Sequence, residues 1–326
     1  MKLKGINIIF CLSFLVVQVS CNKTVEPFEN DGYAISFKNV DVNTKQLIEK
    51  TGDLTEFSVW GAMMDNQEGI YHNVFEGSRV SKNATGWDYS DHRYWIPNST
   101  YRFFAVAPTL HEVEFDSTDE TYNVYYSLPD EFNVSAASFN DLVVASQSVE
   151  TPDPIEDALN PVDLSFYHPF VKVRLHIFKS DENAGDLMVV KNVAVSGVKN
   201  IGTYSYYIGT GISEWALSGS SLISETFNAE IGVESNDEDW LNLEFYALPQ
   251  YISSGQVNVS ISYQYTEPGQ TAKDLTYNAP VPQTDIWRAN KIVTYNAELS
   301  EEHKIRFNTP SVETWGEQGS GIVIIQ

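Results

Sequence analysis

The feature that most constrains the fold is a period-two alternation of apolar and polar residues that recurs along the chain, with no long amphipathic helix to compete with it. Val171, Val173, Leu175 and Ile177 alternate with Lys172, Arg174 and His176. Successive side chains of a strand point to opposite faces, so this stretch reads as a half-buried strand. The same period returns in residues 241–245 and 257–265, and residues 292–299, 304–307 and 322–325 complete a set of strands at sandwich-like spacing. Aromatics at 13% and hydrophobic residues at 42% exclude a disordered chain, and the wealth of Tyr, Val, Ile and Thr favours strands. The expected class is all-β.

The first half carries the same signal in shorter pieces. Residues 34–40 alternate around Ile35 and Phe37 in the manner of a first strand, and residues 41–50 interrupt it with a charged loop or a single helical turn. Residues 57–63 read as a core strand, followed by a glycine- and asparagine-rich excursion. Residues 91–97 and 101–108 predict a hairpin turning at Asn98-Ser99-Thr100, with Pro97 and Pro108 punctuating its arms. Further strands are expected at 123–127 and 142–146. Residues 147–162 gather Pro152, Pro154 and Pro161 among acidic residues, which is the composition of a connection between domains. The chain therefore divides into an N-terminal sandwich over 33–161 and a C-terminal sandwich over 162–326.

The start of the chain fixes its compartment. Lys2 and Lys4 precede an apolar run over 6–19 that is too short for a membrane-spanning helix of roughly 20 residues. Ser20 then stands before Cys21, and polar Asn22-Lys23-Thr24 follows. That order reads as a bacterial lipoprotein signal over 1–20, removed so that Cys21 becomes the lipid-bearing first residue. Cys11 is the one other cysteine and lies within the signal, so an internal disulfide is excluded and lipidation accounts for the lone thiol. Gln18 departs from the aliphatic residue usual three places before such a cysteine. Residues 21–32, with Pro27 and Gly32 and no periodicity, read as a tether from an outer-membrane lipid to the fold.

The formal charge is −24, or −26 once Lys2 and Lys4 are removed. A surface this acidic repels phosphate backbones, which excludes nucleic acid as a partner and otherwise reads as a solvated coat. There is no P-loop, dinucleotide fingerprint, HExxH, GxSxG or EF-hand loop, so neither an enzyme nor a cofactor is expected. His168 and His92 read as packed or hydrogen-bonded structural histidines rather than bases. Asp237-Glu238-Asp239 lacks the spaced carboxylates and turn glycine of a calcium loop and reads as a solvated turn. Trp87, Tyr89, Tyr94 and Trp95 could stack on sugar rings if exposed, although core packing is the better reading.

Taken in order, these motifs resemble the fimbrillin family, the subunits of type V pili of Gram-negative bacteria. The matching elements are the lipoprotein-type start, residues 34–40 with Thr44-Lys45, residues 57–61, and Arg93-Tyr94-Trp95 followed by residues 101–108. Residues 141–145, residues 162–173, Leu248-Pro249-Gln250, and Trp287 with Tyr295 continue the match. The resemblance implies two tandem transthyretin-like Greek-key β-sandwiches and a surface location on the outer membrane or in a fimbrium. It also implies removal of the first strand by a protease, and assembly with other pilus subunits by a donated strand.

Family pilins matured by an arginine-specific protease carry Arg after the first strand, whereas the first arginine here is Arg79. Lys38, Lys45 and Lys50 are the basic residues of that region, which makes Lys45 and Lys50 the candidate cleavage positions. Asn290 stands where relatives often show glycine. At the other end, Gly319-Ser320-Gly321 leads into Ile322, Val323, Ile324 and Ile325, a hinge and an apolar strand that either pairs within its own domain or is donated to a neighbour. The leading expectation is a structural or adhesive pilus subunit (shaft, tip or anchor) with a possible host or bacterial surface ligand. The alternative is a surface glycan-binding lipoprotein of a nutrient-uptake system.

Overall fold

The computed structural model describes residues 33–42, 54–109, 114–117, 124–127, 132–134, 142–183, 185–233, 239–299, 304–315 and 323–324. Apart from short 3-10 structure at Asp181–Asn183 and at Asp239, the regular structure of these residues is strand, and the expected all-β class holds.

Five antiparallel strands form the first sheet, in the spatial order β4 (Gly86–Asp88), β3 (Tyr71–Asn83), β2 (Glu56–Asp65), β5 (Ser99–Ala107) and β9 (Val143–Glu150). Across from it lies a two-stranded parallel ribbon of β1 (Phe37–Val42) and β10 (Val162–Phe166). The space between is filled by Phe57, Val59, Phe75, Val80, Tyr101, Phe103, Val143 and Leu164, all buried. β10 begins at residue 162 and places Val162, Leu164 and Phe166 in this core, so a division of the chain at 162 would part β10 from the core it completes.

The second core is closed by two larger sheets. One runs β16 (Leu241–Ala247), β11 (Val171–Lys179), β19 (Lys291–Leu299), with β20 (Ile305–Phe307) and β21 (Ser311–Thr314) both paired to β19. The other runs β15 (Ser221–Glu230), β12 (Leu187–Val198), β17 (Asn258–Thr266), β18 (Lys273–Pro280). The alternation read in the sequence faces this core: Val171, Val173, Leu175 and Ile177 meet Val190, Val193, Val259 and Ile261. The opposite face of β11 is less open than its charges suggest. Lys172 is only 3% exposed, with its Nζ 2.6 Å from Glu244 Oε2.

A further sheet takes strands from both halves, in the order β22 (Val323–Ile324), β14 (Ile212–Ser218), β13 (Ile201–Tyr207), β7 (Val124–Ser127) and β6 (Glu114–Ser117), with β8 (Phe132–Asn133) also on β13. Tyr204, Tyr206 and Trp215 of this sheet pack on Trp60, Phe104 and Val144, the reverse side of the first sheet, and on Phe170 and Ile292 from the second half. The first sheet is thus buried on both faces, which is why β2 and β5 are apolar almost throughout. The Tyr167 and Tyr204 hydroxyls meet at 2.9 Å inside this joint.

One expected hairpin is absent. Residues 91–97 form no strand beside β5, whose neighbours are β2 and β9. Asp91 and Asn98 hold φ angles of 54° and 50°, a left-handed bend at each end that breaks an extended arm. What residues 93–95 do instead bears on the site described next. Asn290 adopts φ 61°, a conformation that asparagine tolerates better than other side chains, so it serves where glycine would. Its N–H donates to Phe170 O at 2.9 Å and its carbonyl accepts from Trp315 N at 2.8 Å.

Candidate functional site

The segment from Tyr33 to Val42 lies in a groove of the first core, between two walls that are distant in sequence. On one side it is held by residues 93–95: Ile35 N donates to Arg93 O at 2.8 Å, Trp95 N donates to Tyr33 O at 3.1 Å, and Ala34 bridges Tyr94 in antiparallel fashion. On the other, Val162 N donates to Ser36 O at 2.7 Å. The parallel ladder to β10 then pairs Phe37 with Val162, Lys38 with Asp163 and, after an irregularity, Asp41 with Ser165. The Tyr89 hydroxyl donates to Ile35 O at 2.8 Å from below, and the Tyr33 hydroxyl donates to Glu156 O at 2.9 Å. These bonds engage backbone and not side chains of the segment, apart from that of Tyr33. They would hold any extended chain of suitable shape.

Side chains supply the selectivity. Ile35 is 1% and Phe37 4% exposed, while Ala34 points outward. The Phe37 ring sits among four others: Phe57 at 5.8 Å, Phe75 at 5.9 Å, Tyr89 at 5.8 Å and Phe103 at 6.1 Å between centroids, all edge-on. Such T-shaped pairs set the positive edge of one ring against the negative face of the next. Gly61, at an irregularity in the β2–β3 register, makes room for the floor of this slot. A Cβ there would come 3.0 Å from Phe75 Cδ2 and 3.2 Å from Phe103 Cδ1, so both rings would have to give way. Burial raises the Tyr89 phenol above its ordinary value, and that of Tyr101, which donates to Tyr94 O, to about 12. Both stay protonated donors at neutral pH.

The aromatic residues considered for sugar stacking do not form an exposed platform. Tyr89 and Trp95 are buried in the first core, Trp87 is half-buried against Phe57 at 5.2 Å, and only Tyr94, 37% exposed, faces outward. His168 is fully buried, its ring stacked on Trp315 at 3.9 Å. His92 is exposed, with Nε2 3.1 Å from Asp88 Oδ1. Among the described residues no group of three or more His, Cys, Asp or Glu could hold a metal ion. Asp237 and Glu238 of the acidic turn lie outside the described residues.

Residues 1–32, where a signal, a tether and the lipid-bearing Cys21 are expected, and Lys45 and Lys50 of the expected cleavage segment also lie outside the described residues. Of the apolar terminal strand, Ile322 and Ile325 fall outside them. Val323 and Ile324 pair in parallel with Ser213 and Glu214 at the edge of the sheet shared by the two halves, within the chain itself. The alternation around Ile35 and Phe37 is legible in the sequence. The walls at 93–95 and 162–166 are not, because nothing local marks two segments far apart in the chain as neighbours of a third.

The fimbrillin-like family profile matches residues 47–315. No curated protein sequence matches the chain. Among solved structures, a fimbrial protein from Bacteroides vulgatus is similar, with a TM-score of 0.62 at 14% identity, over 87% of this chain and 100% of that one. The fimbrial anchor protein Mfa2 from Porphyromonas gingivalis aligns with a TM-score of 0.39 at 14% identity, over 87% of this chain and 96% of that one. A family match that spans the first sheet, the joint and the second core decides the assignment: the chain belongs to the fimbrillin-like family.

Proposed function

We propose that the chain is a pilus or adhesion subunit of the bacterial surface, and that the groove holding residues 33–42 is where it receives a strand from another subunit. The observation that carries this reading is the seating of the first segment. It closes the first core, yet it is bonded on both sides to remote parts of the chain and not through a hairpin. A piece attached in this way can be cut from the chain and replaced by an equivalent strand without rebuilding the sheets around it.

In the same reading Cys21 carries the lipid that brings the precursor to the outer membrane, cleavage at Lys45 or Lys50 frees the first strand, and Ile322, Val323, Ile324 and Ile325 form a strand donated onward. Acyl chains contribute about 0.8 kcal/mol per buried CH₂, so Cys21→Ala should release the precursor from membranes. Determining the N-terminus of the protein recovered from assembled surface fibres tests the central step. A start at residue 46 or 51 is expected. Assembled protein that still begins at Cys21 would overturn strand removal.

A further inference from the structure

We infer that the groove selects an incoming strand with an aliphatic residue followed two places later by an aromatic ring, and that the 322–325 strand of this chain is not such a ligand. The inference rests on the strand-acceptor reading above and adds the identity of the strand accepted.

The seated segment shows what the groove fits. The backbone bonds to Arg93 O, Trp95 N and Val162 N are indifferent to side chains, so among the described side chains discrimination falls to the two buried ones, Ile35 and Phe37, which lie two residues apart on one face. The first is filled by Ile35. The second is the slot of Phe57, Phe75, Tyr89 and Phe103, whose four rings all approach the Phe37 ring between 5.8 and 6.1 Å. An isoleucine there is shorter and branched at Cβ. It leaves the far end of the slot without contact atoms, and it offers no ring edge or face to the surrounding quadrupoles.

From Gly316 to Gln326 the chain reads GEQGSGIVIIQ and contains no aromatic residue. Whatever register or direction the terminal strand adopts, it presents Ile322 with Ile324, or Val323 with Ile325. It can fill an aliphatic groove on another subunit, but it underfills this one. The last aromatic ahead of it, Trp315, is buried, its ring stacked on His168 at 3.9 Å and on Tyr246 at 5.4 Å. The 322–325 strand of one copy is therefore a poor ligand for the groove of another, and a strand pairing an aliphatic residue with a ring two places on is the better one.

The test uses the whole chain with a specific protease site placed within residues 43–53, nicked after folding so that the first strand is held without a covalent link. Labelled peptides then compete for the groove: residues 33–42, the same peptide carrying Phe37→Ile, and residues 318–326. Bound label is read by fluorescence anisotropy, and the size of the nicked protein by light scattering. The expected order places the 33–42 peptide first and the Phe37→Ile peptide about tenfold weaker. The 318–326 peptide should be weaker still, and the nicked protein should form no polymers of itself. Entry of the 318–326 or Phe37→Ile peptide as readily as the native sequence, or self-polymerisation, overturns the selectivity while leaving strand acceptance intact. Failure of every peptide, the native one included, overturns both.

Discussion

The two cores of this protein are closed by different means. The second is bounded by two large sheets whose strands all come from residues 171–314, and its interior is largely aliphatic. The first sets a five-stranded sheet against a ribbon of only two strands, one of them the start of the fold, and its interior is dense with rings. A small ribbon covers little area, and the large side chains Phe37 and Phe166 compensate by reaching deep into the sheet, where each meets Phe57. The second half contains every strand its core needs, while the first depends on a segment that enters from outside its main sheet.

The contrast can be broken most forcefully at Phe37. Phe37→Ala should destabilise the first core by about 3–5 kcal/mol, since it removes a ring and leaves a cavity among four others. Hydrogen exchange should accelerate in β5 and leave the centre of β11 unchanged. Acceleration in both would mean that the joint around Tyr204 and Trp215 fuses the cores into one cooperative unit.

A smaller effect is expected at Glu244, which sits beside the buried Lys172 and 2.5 Å from Arg174 Nε on the second half. Burial pushes its carboxyl up, but hydrogen bonds and charge from Lys172 and Arg174 outweigh that and hold it below its ordinary value of 4.5. A lowered carboxyl contributes stability above the unfolded value, and that contribution is lost as pH falls through the folded one. Denaturant titrations should therefore show the second half weakening below about pH 4.5. Glu244→Gln should flatten that dependence and cost about 1–3 kcal/mol at neutral pH, discounted toward the lower figure because the carboxylate is partly exposed.

The smallest effect belongs to Lys82, whose Nζ lies 5.8 Å above the Trp87 ring at the rim of the first core. Lys82→Ala should cost about 0.5–1 kcal/mol in the same titrations. A larger loss would mean that the rim contributes to closing the first core more than the ring cluster implies.

The second core was largely legible in the sequence because its central strands bury one face. The alternations at 171–177, 241–245 and 257–265 became β11, β16 and β17, and residues 292–299 became most of β19. The edge strands β15 and β18 bury few side chains and give no pattern to read; the central β12 is missed too, because shifts in its pairing between Val190 and Asn192 and between Ser196 and Val198 break the period of its buried residues. β3 reads as an excursion in the sequence because only Phe75 and Val80 are buried along it, and Gly77, at φ 70°, falls where its pairing shifts out of period two. The apolar run at 101–107 reads as a hairpin arm because sequence alone does not say which neighbour a strand takes. In the fold, residues 93–95 turn away from it and hold the first segment. Half of the candidate site, the Ile35 and Phe37 alternation, was visible for the same reason as the second core. The other half, its two walls, is a product of tertiary folding.

The parallel course of β1 and β10 has a mechanical consequence. Tension on the chain ahead of Tyr33, directed along the strand, draws β1 lengthwise across β10. The bonds at Ile35, Ser36 and along the ladder then carry load together in shear, and the Phe37 ring must leave its slot in the same motion. Forced detachment is governed by a rate and not by an equilibrium, so a seat loaded in this way holds longer under a pull than its stability alone would suggest.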